Sequence, residues 1–129
     1  MEEFLRKAEE SLAGAEAELS AGRYNNCANR AYYACFQAAV YALWHAGIRP
    51  PGGGDRWDHR FVQAEFAGRL VNRRKLYPPE LRDTISRVYE LRERADYRPR
   101  LVTETEASRV VRRAQELLAA VRQRTEDQP

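Results

Sequence analysis

The stretch GRYNNCANRAYYACFQAAVYALWHAG, residues 22–47, decides the fold, and it begins and ends with glycine. Between the glycines it is apolar on nearly every side of a helix, which is typical of a buried segment. It therefore predicts a central helix over residues 24–46, which needs either two neighbouring helices or one neighbour and a second subunit. A stripe of small side chains on it lets a neighbour approach closely. The stripe consists of Ala28, Ala31, Cys35, Ala38, Ala42 and Ala46.

Four further segments have helical apolar spacing, and none has the strict alternation typical of a strand. They cover about residues 2–21, 58–72 and 78–97, and a last helix begins after Thr103. Thr103-x-x-Glu106 is a capping-box pattern at the start of that last helix. The short connections favour an all-α, up-and-down antiparallel bundle of about five helices.

The chain has 129 residues, which is enough for one hydrophobic core. We assign residues 1–124 to one helical domain and residues 125–129, TEDQP, to a flexible tail. No apolar run approaches the roughly 18 residues of a membrane span, and the N-terminus lacks the order of a signal peptide. Two cysteines cannot form a disulfide framework. These features predict a cytoplasmic protein that has no membrane contact.

The charge pattern is compatible with phosphate binding without requiring it. Of the 22 basic residues only Lys7 and Lys75 are lysine, and arginine pairs with planar anions better than lysine does. A GC-rich genome would produce the same bias. The formal net charge of +3 is far from that of a dedicated nucleic-acid-binding protein.

The fourth helix contains a charged pair on its predicted inner face. Leu81, Ile85, Val88 and Ala95 define that face. Arg92 lies close to its centre on a helical wheel. Asp96 follows Arg92 at the i, i+4 spacing, so the two side chains can touch. The pair is either a buried ion pair that orients the bundle or a polar site at the floor of a cleft or subunit interface.

A stripe of polar residues runs along the second helix, and Asn29 lies next to this stripe. Arg30 and Tyr33 in this stripe are suitable partners for a phosphate or a ring hydroxyl, although a solvated helix edge would have the same pattern. The stripe consists of Asn26, Arg30, Tyr33 and Gln37. Neither of the two histidines, His45 and His59, has a second His, Cys or carboxylate at the spacing of metal ligands. We therefore expect no metal and no cofactor. His59 begins the third helix and could face a cleft.

Three segments, in order, carry a family resemblance: FLRKAEESL near the start, GRYNNCANRAYYACFQAA on the second helix and LYPPELRDTISRVYELRERADY on the fourth. TETEASRVVRRAQELL fits as the last helix. Together they resemble the HEPN family of helical domains over about residues 2–123. RAYYACF and LRERADY are fairly specific as a combination, and neither suffices alone.

The resemblance implies a helical bundle that pairs into a homodimer and has a nucleotide or RNA as its ligand. It also implies a small prokaryotic protein often encoded beside a minimal nucleotidyltransferase, in a toxin–antitoxin arrangement. Some members of the family are metal-independent ribonucleases. Their motif is an Arg followed, after four to six residues, by a His across a dimer cleft.

This sequence departs from the ribonuclease motif. Arg92 matches the motif arginine, but Tyr97, Arg98 and Pro99 occupy the positions where the histidine is expected. No histidine follows His59, so the general acid–base group is absent from its family position. We therefore expect no catalytic residue at that position, and His59 could substitute only if the fold brings it to Arg92.

Three hypotheses follow from the sequence. The leading one is a HEPN-like nucleotide- or RNA-binding module in which Arg30 and Arg92 hold phosphate, Asp96 orients Arg92 and Tyr33 contacts the ligand. The full predicted site is Arg30, Tyr33, Arg92, Asp96, Asn29, Tyr97 and His59. The alternatives are a metal-independent ribonuclease toxin and a structural dimerisation protein that has no small-molecule ligand.

Overall fold

The second helix of the chain, α2 (Tyr24–His45), is the centre of the bundle in the computed structural model, which describes residues 1–128. Twelve of its residues are buried, including Cys27 and Cys35 with their free thiols. It packs most extensively against α1 (Glu2–Ser20), and also against the third, fourth and fifth helices. Both of its apolar faces are thus covered within one chain, so α2 does not require a second subunit for its burial.

The ends of α1 and α2 follow the sequence signals. Gly22 and Gly47 have φ angles of 76° and 86°, a backbone conformation that glycine adopts without a steric penalty. The connection between α1 and α2 is only three residues long, so the chain reverses sharply and α1 lies back along α2. Because Ala15, Ala28 and other small side chains are fully buried, the two backbones can approach closely.

The last helix, α5 (Glu104–Asp127), begins with the predicted capping box. The Thr103 side chain accepts a hydrogen bond from the Glu106 backbone N–H, and the Glu106 side chain accepts one from the Thr103 backbone N–H. The helix extends three residues past Arg124, to Asp127, into the segment predicted as a tail. In this last turn Thr125 is buried, and its hydroxyl donates to the Val121 carbonyl oxygen. Pro129, the last residue of the predicted tail, lies outside the described residues.

The third helix differs from the prediction in its geometry. It starts as α3 (His59–Glu65), capped by Asp58, and continues as a π-helix over Phe66–Arg73. The wider π turn directs the adjacent residues Leu70 and Val71 inward together with Phe66, and all three are buried. A wheel of 3.6 residues per turn cannot place two adjacent residues at the centre of one face, so the sequence pattern missed this feature.

The fourth helix begins later than expected. Pro79–Leu81 forms a single 3₁₀ turn, and the α-helix itself, α4, covers Thr84–Tyr97. The predicted inner face is confirmed at Leu81, Ile85 and Val88, which are all buried, while Ala95 is only partly buried. This face lies against α2, and α4 has a smaller contact with α5.

The bundle therefore has the predicted all-α architecture. Five α-helices and no strand occur in the 128 residues that the structure describes. Within the same residues, no helix is both long and apolar enough to span a bilayer. The consequence for function is that the polar stripe of α2 lies between α1 and α4: Gln37 pairs with Ser11 of α1, and Tyr33 lies beside Arg92 of α4.

Candidate functional site: an arginine–tyrosine–histidine cluster between three helices

Arg92 and Asp96 form the predicted ion pair, but the pair is not buried in the core. The Nε atom of Arg92 lies 3.2 Å from Oδ2 of Asp96, and the two side chains are 18% and 27% exposed. The guanidinium lies over the rings of Tyr32 and Tyr33, at 5.1 Å and 5.6 Å from their centres. Arg92 therefore lies at the boundary between α2 and α4, where it is held by an opposite charge and two aromatic faces.

The polar stripe of α2 joins this pair through Asn29. The Asn29 amide nitrogen donates to Oδ2 of Asp96 at 3.0 Å. Its amide oxygen accepts two hydrogen bonds from Arg30, at 3.2 Å from Nε and 2.8 Å from Nη2. Arg30 also lies over the Tyr33 ring, 5.0 Å from its centre. One Tyr33 ring thus contacts two arginines that come from different helices.

The structure brings His59 to the same cluster. Nδ1 of His59 and the Tyr32 hydroxyl are 3.2 Å apart, at hydrogen-bond distance. The imidazole stacks on Tyr89 of α4, with 3.8 Å between the ring centres. Tyr32 therefore touches His59 at its hydroxyl and Arg92 at its ring face. The fold therefore places His59 and Arg92 on opposite sides of one tyrosine.

The surroundings of His59 favour its neutral form. Burial lowers the pKa of His59 below its usual 6.5, and the nearby Arg92 cation lowers it further. Asp58 and Glu93 oppose this shift only in part. Burial also raises the pKa of Tyr32 to about 12, so its hydroxyl keeps its proton. At neutral pH the cluster therefore holds an uncharged imidazole close to a permanent cation.

Tyr97 is the predicted site residue that the cluster does not include. It ends α4 with its side chain 69% exposed, and no hydrogen bond or ring contact joins it to the others in residues 1–128. The positions where the family motif has its histidine, residues 97–99, begin at this last residue of α4 and extend into the connection after it.

Two residues of the cluster were missed from the sequence. In the sequence Tyr32 lies among the apolar residues of the second helix, and Tyr89 has no distinguishing pattern around it. Tyr89 lies three residues before Arg92, so both are on one face of α4. Aromatic side chains on an apolar face are ordinarily core residues, and only the position of α3 shows that these two rings enclose a histidine.

The cluster is open to solvent on its Arg30 side. A groove between α1 and α2 adjoins Arg30 and is lined also by Lys7, Ser11 and Gln37. The aliphatic part of Arg30 packs beside Gly14 of α1, where an added Cβ would lie 3.6 Å from the arginine chain. No group of three His, Cys, Asp or Glu side chains suited to a metal occurs in the described part of the chain.

The model of the HEPN domain matches residues 1–124 of the chain. The chain belongs to the HEPN domain family. HEPN domains are modules related to nucleotides and RNA, and they often dimerise. A comparison with curated proteins finds no match. The family match covers all five helices except the last three residues of α5.

Proposed function

We propose that this HEPN domain binds a nucleotide, or one nucleotide of an RNA, at the cluster around Arg92. The observation that carries the proposal is the Tyr33 ring contacted by Arg30 and Arg92, of which Asp96 orients the second. The two guanidinium groups can bind a phosphate, and the neighbouring aromatic ring can bind a base, so one nucleotide could contact both.

The unused hydrogen-bonding capacity of the cluster supports the same ligand. Arg92 uses only Nε on Asp96, and its two Nη groups have no protein partner among residues 1–128. Arg30 uses Nε and Nη2 on Asn29, which leaves Nη1. Guanidinium groups with free Nη donors bind phosphate oxygens strongly and in a defined orientation.

The partners of the domain follow as part of the proposal. Tyr97 and Leu101 are 69% and 71% exposed at the end of α4 and in the connection after it, and such side chains are typical of a contact surface. We propose that this surface joins a second copy of the chain into a homodimer. We also propose a nucleotidyltransferase as a partner protein, in a toxin–antitoxin arrangement, on the basis of the family resemblance.

The binding proposal is tested by calorimetric titration of the wild-type protein with a panel of nucleoside mono-, di- and triphosphates and short RNAs. We expect at least one of them to bind and to raise the melting temperature, because a ligand that binds only the folded state stabilises it. Absence of binding by the whole panel at low salt would contradict the proposal.

A second candidate function, RNA cleavage, is favoured by the position of His59. Neutral His59 would accept the proton of a ribose 2′-hydroxyl while the 2′-oxygen bonds to phosphorus. The P–O5′ bond breaks, and the leaving oxygen takes a proton from water. Arg92 would stabilise the charge on the phosphate. In this mechanism His59 replaces the base that is absent at residues 97–99.

The pH behaviour of His59 tests this candidate. In an NMR titration we expect His59 to lose its proton below pH 6.5, and Arg92→Ala to raise that pKa because a nearby cation is removed. Cleavage of RNA, if His59 is the base, rises with pH through the His59 pKa and then levels off. It is lost in His59→Gln and kept in His45→Gln, the matched control. Equal activity of the two variants would rule out His59 as the base.

A further inference from the structure

A basic groove lies on the other side of α4, between α4 and α5. Its floor is apolar. Arg87 and Arg94 line it from α4, seven residues apart, and Arg109 and Arg113 line it from α5, four residues apart. We call it the α4–α5 groove. It is lined by four arginines and two glutamates around two apolar side chains: Arg87, Arg94, Arg109, Arg113, Glu90, Glu106, Leu91 and Val110.

A second depression links this groove to the arginine–tyrosine–histidine cluster. It is formed where α4 meets the connection to α5, and its lining includes Tyr89, Glu93, Arg94, Arg98 and Arg100. Arg94 is shared with the α4–α5 groove, and Tyr89 is the ring on which His59 stacks. A continuous surface therefore runs from the cluster around α4 into the groove.

The charge of this surface is concentrated well beyond the average of the chain. The groove and the depression together contain six arginines and three glutamates, a surplus of three positive charges. The formal net charge of the whole chain is also +3, so the remaining residues are balanced. The formal surplus of positive charge of the chain is thus equal to that of this one surface.

The arginines at the far end of the groove are free to bind. Glu106 is already paired with Arg94 and held in the capping box, and Arg94 and the Thr103 N–H lower the pKa of its carboxyl to about 2. Arg109 and Arg113 form no ion pair with any carboxylate of residues 1–128. Their charge is therefore not neutralised within the protein.

We infer that the α4–α5 groove binds the backbone phosphates of a single-stranded nucleic acid, and that one nucleotide of the same strand occupies the cluster around Arg92. This inference rests on the proposed function and names its substrate class: an oligonucleotide rather than a free nucleotide. A single strand fits because its bases are free to stack on aromatic rings such as Tyr89, while successive phosphates follow the arginines.

The test measures binding of a fluorescent single-stranded RNA of about twelve nucleotides, within the size range of such sites, by anisotropy at several salt concentrations. The double variant Arg109→Gln/Arg113→Gln is compared with Arg112→Gln, a matched control on the exposed side of the same helix. We expect the double variant to weaken RNA binding about tenfold or more and to reduce the salt slope by about 1.4, since each lost phosphate contact contributes about 0.7. Its affinity for a mononucleotide stays that of wild type.

The outcomes separate this inference from the proposed function. If the double variant binds the RNA as tightly as Arg112→Gln, the groove is not the binding surface, and mononucleotide binding at Arg92 stands. If the double variant weakens RNA binding and Arg92→Ala does not, the groove binds the strand without a nucleotide at Arg92, and the proposed site is wrong. If neither RNA nor nucleotide binds, both are wrong. A DNA strand of the same sequence shows whether the 2′-hydroxyl contributes.

Discussion

Arg92→Ala is expected to lower nucleotide affinity by about tenfold to a hundredfold while the protein stays folded. A charge-assisted hydrogen bond contributes about 1.5–3 kcal/mol, and the variant removes the arginine whose Nη groups are unused in the free protein. The Arg92–Asp96 pair is only partly buried, so its own loss costs the folded state far less than a fully buried pair would. Calorimetry and thermal melting on the same samples give both quantities.

Two further variants sharpen this experiment. Arg92→Lys keeps the charge and loses the planar fork, so we expect an affinity between those of wild type and alanine. Arg112→Ala removes an exposed arginine outside the cluster and is expected to bind as wild type does. If Arg92→Ala instead destabilises the protein by about 3–5 kcal/mol and no nucleotide affects wild type, the pair is structural. The hypothesis of a structural dimerisation protein would then replace the binding proposal.

Phe66→Ala is expected to destabilise the protein by about 3–5 kcal/mol, a large part of the stability of an ordinary domain. Phe66 is the largest fully buried side chain, and its ring lies 5.1 Å from that of Tyr77. Removing it leaves a cavity beneath the π-helix, which the surrounding helices can fill only in part. Chemical denaturation measures the loss of free energy of unfolding.

The matched control is Phe61→Ala, which truncates the same residue type on α3 at a half-buried position. We expect it to cost clearly less than Phe66→Ala. Equal losses would contradict the packing of the π-helix described above. Because Phe66 holds the segment that begins with His59, its loss should also move the NMR signals of the His59 ring.

Much of the fold could be predicted because helices are specified locally. The apolar stripe of residues 24–46, the capping box at Thr103 and the inner face of α4 each depend on side chains within a few turns of one helix. The same local information identified Arg92 and Asp96, because an i, i+4 pair is a property of one helix. The π-helix escaped prediction, since its extra residue per turn is selected by how Leu70 and Val71 pack together.

The cluster itself was predictable only in parts. Asn29 and Arg30 were identified on one helix and Arg92 on another, but their hydrogen bonds through Asp96 depend on how α2 and α4 lie against each other. The role of Tyr32 was not visible at all, because a buried tyrosine and a ligand-site tyrosine have the same helical spacing.

The sequence by itself determined the helices, their caps, the central position of α2 and the charged pair on α4, since each follows from side-chain spacing along one segment. Only the tertiary structure decided that His59 reaches Tyr32 and Tyr89, and that the same Tyr32 ring contacts Arg92. It also decided that the arginines of α4 and α5 face one another across a groove. Both arrangements depend on distances between helices, which arise from the simultaneous packing of many side chains that are far apart in the chain.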